Sequence, residues 1–122
     1  MDKIHSFTGL VAWQKWHKFV THIYKITKKF PKDELFGLIS QIRRAAVSIT
    51  SNVAEGFSRK SPKEKAQFYY MALGSLTEIQ NQLLISKDLG YINQKEFQEF
   101  ANNTVELSKL IHGLIKSASS LT

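Results

Sequence analysis

The sequence predicts an all-α fold: an antiparallel, up-down-up-down four-helix bundle forming a single domain over residues 1–122. Three observations lead there. Apolar residues recur every three or four positions in four separate segments, the period of one helix face. Each segment is bounded by capping or breaking residues. Two prolines and six glycines are too few for a turn-rich β protein of this length. The links between segments are short, which makes consecutive helices antiparallel neighbours.

The first helix is expected over about residues 10–30, with Trp13, Trp16, Val20, Ile23, Thr27 and Phe30 on its apolar face and Pro31 as the stop. The second spans about 34–56, with Asp33 as the N-cap and Gly56 as the terminator. Its stripe is Leu35, Leu38, Ile39, Ile42, Ala46, Ile49 and Val53. The third spans about 62–89 and opens on Ser61-Pro62-Lys63-Glu64. There the serine caps, the proline occupies the first turn and the glutamate completes a capping box. Tyr69, Ala72, Leu73, Leu76, Gln80, Leu83 and Leu84 point inward from it. The fourth spans about 94–118, opened by a second capping box at Asn93 and Glu96. Phe97, Phe100, Thr104, Leu107, Leu110, Ile111, Leu114 and Ala118 form its stripe.

With no cysteine, disulfides, thiolate metal sites and cysteine nucleophiles are all excluded. The N-terminal MDKIHSFTGL lacks the apolar run of a signal peptide. No stretch approaches the ~20 apolar residues of a membrane span. A cytoplasmic protein without a membrane partner is expected. His17 and His22 diverge around the first helix, no Glu-x-x-His occurs, His5 lies in the tail and His112 near the end of the last helix. No phosphate-cradling glycine loop or nucleophile elbow is present. The expectation is therefore a non-enzyme with no metal and no cofactor.

Charge is the informative feature. The net charge is +7, and residues 1–60 hold 11 Lys/Arg against 4 Asp/Glu, whereas residues 61–122 hold 6 against 6. In the first helix Lys15, Lys18, His22, Lys25, Lys29 and Lys32 recur at three and four, flanked by Lys28 and His17. Such a ladder can track phosphates through counterion release without reading sequence, or it can be a merely solvated face. Arg43, Arg59 and Lys60 join this candidate nucleic-acid set.

The second and third helices each carry an unusual outer face of small residues. On the second these are Gly37, Ser40, Arg44, Val47, Ser48, Ser51 and Glu55. On the third they are Gln67, Met71, Gly74, Ser75, Glu78, Gln82 and Ile85. Glycine inside a helix costs roughly 1 kcal/mol relative to alanine, which close approach of another backbone would offset. Gly37, Ser40, Arg44, Ser48, Ser51, Glu55, Met71, Gly74, Ser75 and Glu78 are therefore the candidate subunit interface. Arg43 and Arg44 point about 100° apart, so one can pair within an assembly while the other faces a groove. The pattern does not say which.

LVAWQKWHKFV at 10–20, Phe30-Pro31 with Glu34, FGLISQIRRAAVSITSNVAEGFSR at 36–59 and ALGSLTEIQNQL at 72–83 together resemble the proteins encoded in intervening sequences of bacterial 23S ribosomal RNA. That family includes the accessory variability determinant of diversity-generating retroelements. The resemblance implies a four-helix bundle assembled as a homopentameric ring, nucleic acid as a partner and, in the retroelement branch, a reverse transcriptase as a second partner. It offers no catalytic residues. The reading is a basic scaffold that binds nucleic acid, mainly through phosphates. The alternative is a homo-oligomeric protein adaptor with no nucleic-acid function of its own.

Overall fold

In the computed structural model, residues 6–119 are described, and His5 lies outside them. Four long helices account for most of this span: α1 (Val11–Thr27), α2 (Ser40–Ser58), α3 (Pro62–Asp88) and α4 (Gln94–Ser119). Among the described residues there is no strand. Each helix packs on the next and α4 returns to α1, so the four form a helical bundle around one apolar cluster.

Local chemistry explains the ends. Ser61 Oγ accepts the Glu64 N–H at 3.1 Å, and Pro62 sits in the first turn of α3. The Asn93–Glu96 box closes in both directions, at 2.8 and 2.9 Å. At the end of α3, Gly90 takes φ +79°, a left-handed conformation that a side chain would oppose. Lys65 Nζ donates to the Phe57 carbonyl at 2.7 Å and covers the C-terminal end of α2.

Several expectations about these elements are corrected. Asp33 does not cap α2. Lys32–Glu34 forms a 3-10 turn and Leu35–Ile39 a wide π-turn before α2 proper. The carboxylate that serves this entry is Glu34, which accepts the Leu38 N–H at 3.1 Å. Gly56 does not terminate α2, which continues to Ser58. It is buried, and a Cβ there would come within 2.7 Å of the Tyr69 ring, so its role is close approach of α2 to α3.

The core faces are those expected with a few shifts. Trp16, Ile23, Ile42, Ile49, Val53 and Ile111 are fully enclosed. On α1 the buried stripe runs through Ala12, Trp16, Phe19, Ile23 and Ile26, and leaves Trp13 and Val20 at its edge. Helix α1 touches α2 on one side and α4 on the other, so it buries a wider face than a single stripe supplies. Trp13 instead stacks on His17, centroids 4.8 Å apart. Leu35 and Leu84, expected inside, are exposed, and Ile79, Gln82 and Ile115 take core places.

Candidate nucleic-acid interface

The basic ladder of α1 does not stand alone. It faces an acidic row on α4, which sequence spacing within α1 could not reveal. Lys15 Nζ lies 2.8 Å from Glu106 Oε2, and Lys29 Nζ lies 3.5 Å from Glu96 Oε2. Exposed pairs of this kind contribute at most about 1 kcal/mol, but they lower the local positive potential. Lys18, Lys25 and Lys28 are exposed and make no ion pair among the described residues, and His22 beside them is exposed as well. The unpaired lysines therefore run from Lys18 to Lys28, at the C-cap of α1, between the paired Lys15 and Lys29.

Along the same seam run two adjoining cavities, of about 380 and 230 Å³, with His22 and Asn103 shared between them. The larger has Ile26 and Phe100 as its floor, Lys25 and Lys29 on the α1 side and Glu96 and Glu99 on the α4 side. Phe100 is held edge-on to Phe19, centroids 5.6 Å apart.

Arg43, grouped with the nucleic-acid residues from sequence, is drawn into the fold. Its Nε donates to Thr27 Oγ1 at 2.8 Å and its Nη2 to the Tyr24 carbonyl at 3.2 Å. The guanidinium lies 4.6 Å from the Tyr24 ring centroid. It thus occupies a carbonyl of the last turn of α1, where the helix dipole favours a cation. The same contact explains why Thr27, polar and fully buried, sits in an apolar stripe. Lys32 is exposed beside a cavity of about 290 Å³ that also borders Arg43. Arg59 pairs with Glu55 at 2.7 Å and lies over the Phe68 ring. Lys60 is exposed in the link between α2 and α3.

The small-residue faces divide. Ser48 and Ser75, assigned outward from sequence, turn toward each other between α2 and α3, their hydroxyls 2.9 Å apart. They are half-buried within the bundle because small side chains let these two helices come close. Gln82 is likewise buried, with its amide nitrogen donating to Glu78 at 3.3 Å. Gly37 stands where a Cβ would come within 2.9 Å of Glu34 Oε1, so it makes room for the entry to α2. Ser40, Arg44, Ser51, Met71 and Gly74 remain on the exposed surface, and nothing lies within 4 Å of a Cβ built on Gly74. Glu55 and Glu78 are exposed too. Arg44 has no partner among the described residues. Tyr70, Met71 and Ile85 are exposed apolar side chains on α3, and Val47 on α2.

Among the described residues, no group of three or more His, Cys, Asp or Glu side chains is placed to hold a metal ion. Among the described residues, no helix is long and apolar enough to cross a membrane. The fold and the site together define a helical bundle whose notable surface is a cationic ridge. The chain belongs to the 23S rRNA-intervening sequence protein family, whose sequence pattern matches residues 8–113. Its structure is similar to that of a protein of unknown function from the S23 ribosomal protein family of Bacteroides thetaiotaomicron. The two share 24% identity over 87% of this chain and 96% of that one, with a TM-score of 0.80. That likeness concerns the fold. No significant match is found among curated proteins.

Proposed function

We propose that this protein is a non-enzymatic cytoplasmic scaffold that binds nucleic acid, mainly through phosphates, as a homo-oligomeric ring, with RNA the first candidate. The single observation that carries the reading is the run of unpaired lysines Lys18 and Lys25 on α1 and Lys28 at its C-cap, with His22 among them, in a chain half with 11 basic against 4 acidic residues. An antiparallel, up-down-up-down arrangement is supported by the two α1–α4 ion pairs, in which the residue number rises on one helix as it falls on the other. A ring, of five copies as the family resemblance implies, is supported by the exposed small and apolar residues around Gly74 and Val47. Repetition of the ridge around an axis would multiply weak phosphate contacts by avidity.

The test is retention of RNA and DNA in a gel shift across a salt series. Binding at low salt that weakens steeply as salt rises supports phosphate contact. Lys18→Glu with Lys25→Glu should abolish it, whereas reversing Lys109, on α4, should not. A wild type that retains neither nucleic acid at low salt rejects the reading. The adaptor reading, with a reverse transcriptase as one partner class, is favoured by the exposed Tyr70, Met71 and Ile85, and would then stand.

A further inference from the structure

The larger α1/α4 cavity is polarised across its width. One wall carries His22, Lys25 and Lys29, the other Glu99 and Asn103, and the floor is apolar. Lys29 is satisfied by Glu96 at one end. His22, Lys25, Glu99 and Asn103 make no hydrogen bond to one another. A free inorganic anion suits this groove poorly, because the α4 carboxylates would repel it. A nucleotide suits it well. It has an anionic end for the lysine wall and an uncharged, planar, amine-bearing end for the acidic wall. A carboxylate accepts from an exocyclic amine, and an asparagine amide can both donate and accept. The volume, about 380 Å³, falls in the range of small-ligand sites. The seam of α1 and α4 lies across the bundle from α2 and α3, so a ring built through those helices leaves it open.

We propose that this groove takes one unstacked base of a single-stranded nucleic acid, with its phosphate on Lys25 and Lys18 and its exocyclic amine on Glu99 and Asn103. The proposal rests on the nucleic-acid reading above and deepens it. A duplex offers only phosphates here, since its bases are paired and stacked, whereas a single strand can present a base to an apolar floor. Cytosine, adenine and guanine carry an exocyclic amine and uracil does not.

The experiment has two independent arms. In the first, cytidine monophosphate and uridine monophosphate are titrated at millimolar concentration against the isotope-labelled protein. The side-chain amide of Asn103 should shift with the cytidine nucleotide and much less with the uridine one. This arm decides on the groove even if polymer binding fails. In the second, affinities for oligo-C, oligo-U and a duplex of equal length are compared at low salt. Oligo-C should bind about three- to tenfold tighter than oligo-U, the worth of one hydrogen bond. Asn103→Trp, which fills the groove, and Glu99→Gln, a conservative surface change, should both reduce that preference while leaving the salt slope intact. Equal binding of all three polymers with no shift at Asn103 overturns the base site and leaves phosphate binding standing. A cytosine preference that survives both variants also overturns it. Loss of all polymer binding in the wild type overturns the proposed function itself.

Discussion

Arg43 shows how far one side chain's role depends on the residue that meets it. From sequence it is a cation in a basic half. In the structure it closes the end of α1 through Thr27 and Tyr24. Hydrogen bonds from a charged donor contribute more than neutral ones, and this site is partly exposed. Arg43→Ala should therefore lower stability by about 1–2 kcal/mol, read as a fall in thermal midpoint. Thr27→Val, which keeps the shape but removes the acceptor, should reproduce part of the loss.

Tyr91 makes a second such link, donating its O–H to Glu34 Oε2 at 2.9 Å and joining the entry of α2 to the turn before α4. That hydrogen bond, with burial and the nearby Glu34 and Asp33 charges, raises the Tyr91 phenol above its usual range. Burial raises Tyr69 as well. The folded state holds these protons more tightly than the unfolded state. The stabilisation is therefore complete below the ordinary tyrosine value of about 10 and is lost as pH climbs above it. Denaturant midpoints measured through alkaline pH should fall, and the gap between wild type and Tyr91→Phe should narrow over the same window. A gap that stays constant would show that the Tyr91 proton is not linked to folding.

At the scale of elements, the closeness of α2 and α3 is set by residues too small to hold them apart. Gly56 sits against the Tyr69 ring, and the Ser48–Ser75 contact lies further along the same helix pair. Gly56→Ala gains up to about 1 kcal/mol of helix propensity. It also drives a methyl into a buried ring, a clash costing about 1–3 kcal/mol. The clash should win, so the variant should melt below the wild type. Gly113→Ala, where nothing lies within 4 Å of the added Cβ, should be neutral or stabilising and serves as the control. A Gly56→Ala protein as stable as Gly113→Ala would show that Tyr69 can move aside at little cost. The box at Asn93 and the Ser61 cap of α3 were legible because a cap is local: its donors and acceptors lie within a few residues of each other, although at Ser61 the box closes in one direction, from the Glu64 N–H to the serine hydroxyl. The entry of α2 was not legible, because the chain there leaves regular helical geometry for a 3-10 and a π-turn, and the second oxygen of Glu34 meets Tyr91, 57 positions away.

For the whole molecule, assembly can be tested apart from folding. Gly74 is exposed inside α3 in the single chain, so Gly74→Leu should keep the helix and leave monomer stability unchanged or raised by up to about 1 kcal/mol. If this surface meets another copy, the same change should break the ring, seen as a loss of mass by light scattering. Arg44→Ala sharpens the reading. Without a partner in the monomer, its loss should cost under about 1 kcal/mol. If Arg44 meets a buried carboxylate across subunits, the assembled form should lose roughly 3–5 kcal/mol. A wild type that is monomeric at micromolar concentration would reject the ring altogether.

What the sequence determined by itself is the part governed by short-range periodicity and capping: four helices, their ends to within a few residues except at the start of α2, and most core positions, including Trp16, Ile23, Ile42, Ile49 and Ile111. It also determined the uneven charge, since composition needs no fold. Only the tertiary structure decided which charges remain available. The α1 ladder is spaced as a helix face, but Glu96 and Glu106 lie about seventy and ninety residues away from their lysines and meet them solely because α4 packs beside α1. The same holds for Arg43 on Thr27 and for Ser48 on Ser75. Helical periodicity places a side chain on a face of its own helix. What that face meets is set by packing between helices, and electrostatic pairing depends on that distance.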